Sequence, residues 1–316
     1  MRKSRIYAAA AAAPFAAIAG ASAFFLYYSV VRFPGKRKMK KSYGEYDSLI
    51  REGIRWFRDQ RPEQIILTSY DGLRLSAFYL PASRPGKKLM ILMHGYRAEF
   101  FTDFSNLYRY YHEQGYDLLV PHQRSHGTSE GRYICFGVKE RYDCKMWADY
   151  AAARFGTDCS IYLAGISMGC STVLMAAGLK LPPNVCGILA DCGFTCPEDI
   201  FRHVLKRDYH LPAFPLIPMT RLLTRWRAGF GYRQVDTRRV LEKCRIPVLF
   251  IHGGRDTFVP LQMTLDNYEA CSAPKELLII PEAAHASSSL ADPERYRETT
   301  LRFMQKYEKK TASGNK

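Results

Sequence analysis

The chain has 316 residues, 47% of them apolar, enough to bury one large α/β core with an insertion and too few to favour two independent domains. Its formal net charge is +16, yet nine of the positive charges (Arg2, Lys3, Arg5, Arg32, Lys36, Arg37, Lys38, Lys40 and Lys41) precede the first acidic residue, Glu45, leaving +7 for everything that follows. That remainder contains no basic run with interleaved aromatics, which argues against nucleic-acid recognition, and no nucleic-acid partner is expected.

The N-terminal charges bracket an uncharged stretch, Ile6 to Val31, built largely from Ala, Phe, Ile, Tyr and Val. About 20 such residues suffice to cross the hydrocarbon core of a bilayer, so a transmembrane helix is predicted, with residues 1–41 as a membrane anchor and 42–316 as the folded domain. Phe24, Phe25, Tyr27 and Tyr28 suit the interface at its far end. A cleaved signal peptide with Ala21-Ser22-Ala23 at the cut is the rival reading; the apolar run continues through Phe24–Tyr28 without a polar break, which favours a retained anchor. The heavier basic cluster lies after the span and favours a cytoplasmic domain, with the extracellular face the alternative. Nine cysteines at irregular spacings fit a reducing compartment. The basic stretch from Arg32 to Lys41 can also hold anionic headgroups, at about 1 kcal/mol per close side chain.

Further along, a series of apolar runs reads as buried strands, each emptying into a loop rich in glycine or polar residues. Lys88–Met93 leads to His94-Gly95-Tyr96-Arg97, and Tyr116–Val120 leads to Pro121-His122-Gln123-Arg124-Ser125-His126-Gly127-Thr128-Ser129-Glu130-Gly131. Ile161–Ala164 leads to Gly165-Ile166-Ser167-Met168-Gly169 and then to a helix-suited run, Cys170–Ala177. Val185–Ala190 ends at Asp191-Cys192-Gly193-Phe194-Thr195. Ile246–Ile251 empties into His252-Gly253-Gly254-Arg255-Asp256, and Glu276–Ile280 into Pro281-Glu282-Ala283-Ala284-His285.

Gly165-Ile166-Ser167-Met168-Gly169 is a G-x-S-x-G turn between strand and helix, and it makes Ser167 the candidate nucleophile. Residues without a Cβ on either side let strand and helix approach while the hydroxyl projects outward. A serine nucleophile needs an imidazole base and a carboxylate to orient it, and His285 and Asp256 each follow a later strand. Asp191 also follows a strand and is the rival acid; the His-Gly-Gly-Arg-Asp turn favours Asp256. The Met168 amide at the start of the helix, and the Tyr96 amide after Gly95, are the candidate oxyanion donors, each worth roughly 10²–10³ in turnover.

With these motifs in the order H-G, R-x-H-G-x-S-x-G, G-x-S-x-G, H-G-x-x-D and a terminal His, the chain resembles the α/β-hydrolase superfamily over roughly residues 60–310. Within it, the chain is similar to bacterial membrane-anchored hydrolases of the serine aminopeptidase-like and dienelactone hydrolase-like groups. The resemblance implies an α/β fold with a doubly wound, mostly parallel sheet of about eight strands. It also implies a serine hydrolase acting on a carboxylic ester or related acyl bond of a small molecule, with amide hydrolysis of the aminopeptidase kind and a non-catalytic membrane-tethered scaffold as alternatives. His122-Gln123 stands before Arg124 where many relatives have Asp, which alters local hydrogen bonding more than chemistry.

The fifty residues from Cys192 to Cys244 exceed what a crossover helix needs and predict a helical cap insertion over about 192–244. Thr195 is its expected N-cap, and the apolar, proline-broken segment Leu211–Met219 is read either as a lip of the substrate site or as packing of the cap onto the core. Glu198, Asp199 and Glu282 are the acids that an aminopeptidase would use to capture an amine. His94 is read as structural, and Cys170 as packed inside its helix. His122/His126 and Cys192/Cys196 have metal-ligand spacings without a fourth convergent ligand, so no metal is expected. No nucleotide-binding glycine loop appears, so no cofactor is expected. The polar tail Lys309–Lys316 is expected to fray.

Overall fold

The computed structural model describes residues 17–33, 44–84, 86–98 and 101–308. The first part of the expected membrane span, the flanking Arg2, Lys3, Arg5 and Lys36–Lys41, and the tail from 309 onward lie outside the described residues.

In chain order the elements are α1 (17–30), α2 (Asp47–Asp59), β1 (Glu63–Thr68), β2 (Arg74–Leu80), β3 (Lys88–Met93), α3 (Tyr108–Glu113), β4 (Asp117–Pro121), α4 (Glu140–Phe155), β5 (Ser160–Ile166), α5 (Met168–Ala176), β6 (Val185–Asp191), α6 (Pro197–Tyr209), α7 (Leu216–Ala228), α8 (Thr237–Leu241), β7 (Val248–Gly253), α9 (Leu261–Ala270), β8 (Lys275–Ile280), α10 (Ser288–Ala291) and α11 (Pro293–Tyr307). The eight strands form one sheet in the order β1-β2-β4-β3-β5-β6-β7-β8. β1 and β2 pair antiparallel, β2 joins β4 antiparallel, and the remaining pairs are parallel.

Parallel strands need both faces covered, and their side chains read as continuous apolar runs for that reason. In β5 and β6 every residue is buried. One face packs under α4 and α5 through Trp147, Ala148, Val173 and Leu174. The other packs under α2, α3 and α11 through Phe57, Tyr108, Tyr111 and Phe303. α11 starts where Pro293 follows Asp292, whose carboxylate accepts the Arg295 amide at 3.1 Å, a cap that satisfies an otherwise orphaned donor.

A third apolar cluster lies above the C-terminal ends of the strands, where Phe25 and Val30 of α1 meet Phe136, Met168, Phe201, Ile217 and Tyr232. α1 therefore lays one face, Ser22, Phe25, Leu26, Ser29 and Val30, on the domain. Among the described residues no helix is long and apolar enough to cross a membrane. The segment between β6 and β7 is largely helical (α6, α7, α8), and the N-cap of α6 is Cys196 in place of the expected Thr195, which donates to Asp199 at 2.6 Å.

Candidate active site

Ser167 stands between β5 and α5 at φ 55°, ψ −116°, a conformation that costs a residue with a side chain about 1–3 kcal/mol. The neighbours are glycine because nothing else fits. A Cβ on Gly165 would lie 2.2 Å from the Gly169 carbonyl oxygen, and one on Gly169 would lie 1.8 Å from that of Met93. The Ser167 amide donates to the Asp191 carbonyl at 2.9 Å, fixing the turn to β6.

Loops from β5, β7 and β8 bring three side chains together. The Ser167 hydroxyl donates to His285 Nε2 at 2.9 Å, and His285 Nδ1 donates to Asp256 Oδ2 at 2.7 Å. Phe258 stacks obliquely on the His285 ring, 4.9 Å between centroids. The other Asp256 oxygen accepts the amides of Phe258 and Val259 at 2.8 and 2.9 Å. Burial pushes the Asp256 carboxyl upward, but hydrogen bonds from His252 and His285 and the charge of His285 outweigh it and hold the group well below the ordinary carboxylate range.

His252, in the sequence one residue of the His-Gly-Gly-Arg-Asp turn, is a further member of this network. It is fully buried, its Nε2 lies 3.0 Å from the Val259 carbonyl and 3.3 Å from Asp256 Oδ2, and its Nδ1 accepts from Thr264 at 2.7 Å. Its place four residues before Asp256 was the available signal. The carboxylate of the rival acid Asp191 accepts from Ser288 at 3.4 Å and from Tyr296, and burial raises it to about 6.

The loop after β3 brings the second candidate oxyanion donor to the same place, since a Cβ on Gly95 would touch the Ser167 Cβ at 3.4 Å. The amides on either side of Tyr96 are both held, Gly95 by Asp103 at 2.6 Å and Arg97 by His126 Nε2 at 3.0 Å. His126 Nδ1 in turn donates to the Arg124 carbonyl at 2.9 Å, and burial lowers its basicity, so the ring keeps the neutral form that can accept. His94 braces the same turn, donating to the Gly95 carbonyl at 2.8 Å and accepting the Gln123 amide at 3.1 Å. Gln123, the departure noted in the sequence, also donates to the His94 carbonyl and receives Thr172 at 3.2 Å. Below it, Arg124 grips Asp143 and Asp71 through paired hydrogen bonds of 2.7–3.1 Å. Met168 opens α5, where an amide has no partner within the helix.

Ser167 and His285 open into a cavity of about 260 Å³ with mainly apolar walls, among them Phe25, Phe136, Phe194, Phe201 and Val204. The segment Leu211–Met219 is not among its lining residues. Phe214 is 77% exposed, and from Leu216 the chain is already α7; the helices that line the cavity are α1 and α6. The acids considered for amine capture are engaged. Glu198 binds Arg202, Arg221 and Arg233, Asp199 binds Thr195 and Arg238, and Glu282 binds Arg255.

Among the described residues, the one group with metal-ligand atoms within 4.8 Å of each other is Cys192, Asp256 and His285. Two of these are hydrogen-bonded to each other, and burial with nearby Asp191 and Asp256 pushes the Cys192 thiol far up, so it stays protonated. Cys170 is buried in α5, and all nine cysteines are free thiols.

No protein-family model matches the chain. It is 27% identical over 248 residues to the uncharacterized protein YqkD of Bacillus subtilis (strain 168), covering 78% of this chain and 81% of that one. It is 26% identical to the uncharacterized protein YfhR of Salmonella typhimurium, with 77% and 81% covered. Among solved structures, the Pyrococcus furiosus esterase Pf2001 superposes with a TM-score of 0.64 at 21% identity, over 79% of this chain and 94% of that one. The Pyrococcus horikoshii acylaminoacyl peptidase does so with 0.61 at 15% identity, over 81% and 43%. Sheet order, helical layers and these superpositions agree that the chain has the fold of the α/β hydrolases.

Proposed function

We propose that the protein is a serine hydrolase that cleaves a carboxylic ester of a small apolar acid by two-step acyl transfer. His285 removes the Ser167 proton, Ser167 attacks the carbonyl carbon, and the amides of Tyr96 and Met168 receive the oxyanion. His285, held by Asp256, returns the proton to the leaving alcohol; water then attacks the acyl-enzyme by the same route and releases the acid. The observation that carries this reading is the continuous hydrogen-bonded chain Ser167–His285–Asp256 at the mouth of an apolar cavity. An intact chain of this kind is not what a binding scaffold requires. The engaged acids weigh against capture of a free amine, which favours ester over aminopeptidase chemistry.

The test is labelling and turnover together. A fluorophosphonate probe should label Ser167, and Ser167→Ala should lose both labelling and hydrolysis of p-nitrophenyl butyrate while unfolding at the wild-type temperature. Wild-type turnover in that variant overturns the assignment.

We further propose that residues 1–41 attach the domain to a membrane, with the domain on the cytoplasmic side and residues 192–244 as the cap over the site. In support, the outward side of α1 carries Phe24 and Tyr27, and α7 beside it exposes Leu222 and Trp226. Aromatic residues of this kind favour the bilayer interface. Alkaline carbonate should fail to extract the full chain from membranes, and protease added outside intact cells should leave the domain uncut.

A further inference from the structure

The N-terminal helix is held against the candidate site by more than apolar contact. A helix leaves its last carbonyls without partners, and here the side chains of Tyr96, whose amide is the candidate oxyanion donor, and of Arg97 supply them. The Tyr96 hydroxyl donates to the Ser29 carbonyl at 2.8 Å, and burial keeps that phenol protonated. The Arg97 guanidinium donates to the carbonyls of Tyr28 and Val31 at 2.7 and 3.0 Å and lies 4.3 Å from the Phe33 ring centroid. Beyond the helix, Arg32 donates from its amide to the Arg132 carbonyl at 2.8 Å and from its side chain to those of Ser129 and Gly127. The chain from Ser29 to Arg32 is thus stitched to the loops after β3 and β4.

Held there, α1 turns Phe25 inward. Its ring meets Phe201 edge-on, centroids 5.6 Å apart, and Phe201 meets Phe136 at 4.6 Å. These rings line the cavity into which Ser167 and His285 open. Phe25 is 9% exposed, whereas Phe24, one residue before it, is 66% exposed and points away. At about 260 Å³ the space lies just under the ~300–1,000 Å³ usual for small-molecule sites.

We infer that α1 is a wall of an acyl-binding subsite, and that Phe25 sets the length of the apolar acyl group that Ser167 accepts. The inference rests on the serine hydrolase reading and names the part of its substrate that the site measures. The membrane-proximal segment is then a component of substrate selection as well as a tether.

The experiment uses the full chain in detergent, with p-nitrophenyl acetate and p-nitrophenyl octanoate as probes and fluorophosphonate labelling of Ser167 as the count of competent enzyme. One methylene more or less in an apolar pocket changes kcat/KM by roughly 10–200-fold. Phe25→Ala should raise the octanoate-to-acetate ratio of kcat/KM about tenfold, and Phe25→Trp should lower it by a similar factor. Phe25→Leu, the milder change, should shift it in the alanine direction. Phe24→Ala should leave the ratio at the wild-type value. Labelled Phe25 variants with an unchanged ratio overturn the inference alone, as does a Phe24→Ala variant that shifts the ratio as much as Phe25→Ala. Wild-type protein whose Ser167 resists the probe overturns the hydrolase reading and this inference with it.

Discussion

His252 Nε2 lies 3.3 Å from the same Asp256 oxygen that receives His285. Both side chains of the first pair are fully buried, and the His252 N–H is shared with the Val259 carbonyl. The second imidazole fixes the loop that carries the carboxylate, which makes it a positioning residue in the proposed mechanism. A buried hydrogen bond to a charged group is worth about 1.5–3 kcal/mol, or roughly tenfold to a hundredfold in rate. His252→Leu should lower kcat by that factor with KM changed less than about threefold. His252→Gln, which keeps a donor near the Nε2 position, should recover part of the loss in steady-state assays of a p-nitrophenyl ester.

Asp256 and Asp191 should respond to pH in opposite directions. Asp256 sits well below the ordinary carboxylate range, so the unfolded chain binds its proton first as pH falls. The stabilisation is present above about pH 4 and is lost as pH falls further. Asp191 is raised to about 6, so its contribution is present below about pH 4 and lost as pH rises through 6. Melting curves between pH 3 and 8 should therefore show Asp256→Asn destabilised at neutral pH, with the gap to wild type narrowing once pH falls below about 4. Asp191→Asn should gain on wild type as pH rises. In turnover the two should separate further, with Asp256→Asn down by about 10⁴ and Asp191→Asn within about tenfold of wild type.

The candidate residues were legible because each lies within five positions of a strand end, Ser167 and Asp256 after the fully buried β5 and β7 and His285 after the partly buried edge strand β8, and buried parallel strands announce themselves as apolar runs. Lys88–Met93 has the bounds read for it, and β8 differs by one residue. The hydrogen bonds joining Ser167, His285 and Asp256 cross 118 and 29 positions of sequence, and motif order puts forward the same three residues as candidates. What stayed hidden depends on tertiary partners without such a run. The brace of Asp103 and His126 around Tyr96 is visible only once two loops meet. The half-exposed edge strand β1 has a weaker apolar signal than the central strands. The apolar run through 17–30 reads as lipid-facing throughout, because hydropathy cannot tell a bilayer from the aromatic side of α6.

The tolerance of the serine turn should be minimal at Gly169. A Cβ there meets two backbone carbonyl oxygens, of Met93 at 1.8 Å and of His94 at 2.7 Å, and neither is the end of a flexible side chain. Relief requires β3 and α5 to part, and overpacking of this kind costs about 1–3 kcal/mol or more. Gly169→Ala should lower the melting temperature by roughly 3–10 °C and reduce the fluorophosphonate labelling rate at Ser167 by more than tenfold, because the His94–Arg97 loop moves with the strand. A variant that melts lower yet labels at the wild-type rate would separate the turn's packing from its chemistry.

Glu198 tests the ester reading against amine capture. Its side chain is 1% exposed and binds Arg202 and Arg233 at 2.7 Å and Arg221 at 3.3 Å, joining α6 to α7 and to the loop beyond it. Those arginines are roughly half exposed, so water screens them. Neutralising the acid should cost about 2 kcal/mol, between the ~1 kcal/mol of surface pairs and the ~3–5 kcal/mol of a broken buried pair. Because α6 carries Ile200, Phe201 and Val204 of the cavity wall, Glu198→Gln should raise KM for an apolar ester about threefold, leave kcat near wild type, and lower the melting temperature by roughly 4–8 °C. The ratio of ester to aminoacyl p-nitroanilide turnover should stay unchanged. A loss confined to substrates with a free amine would place Glu198 at the substrate and favour the peptidase alternative, since a residue that only pins two helices has no means of distinguishing an ammonium group from a methyl.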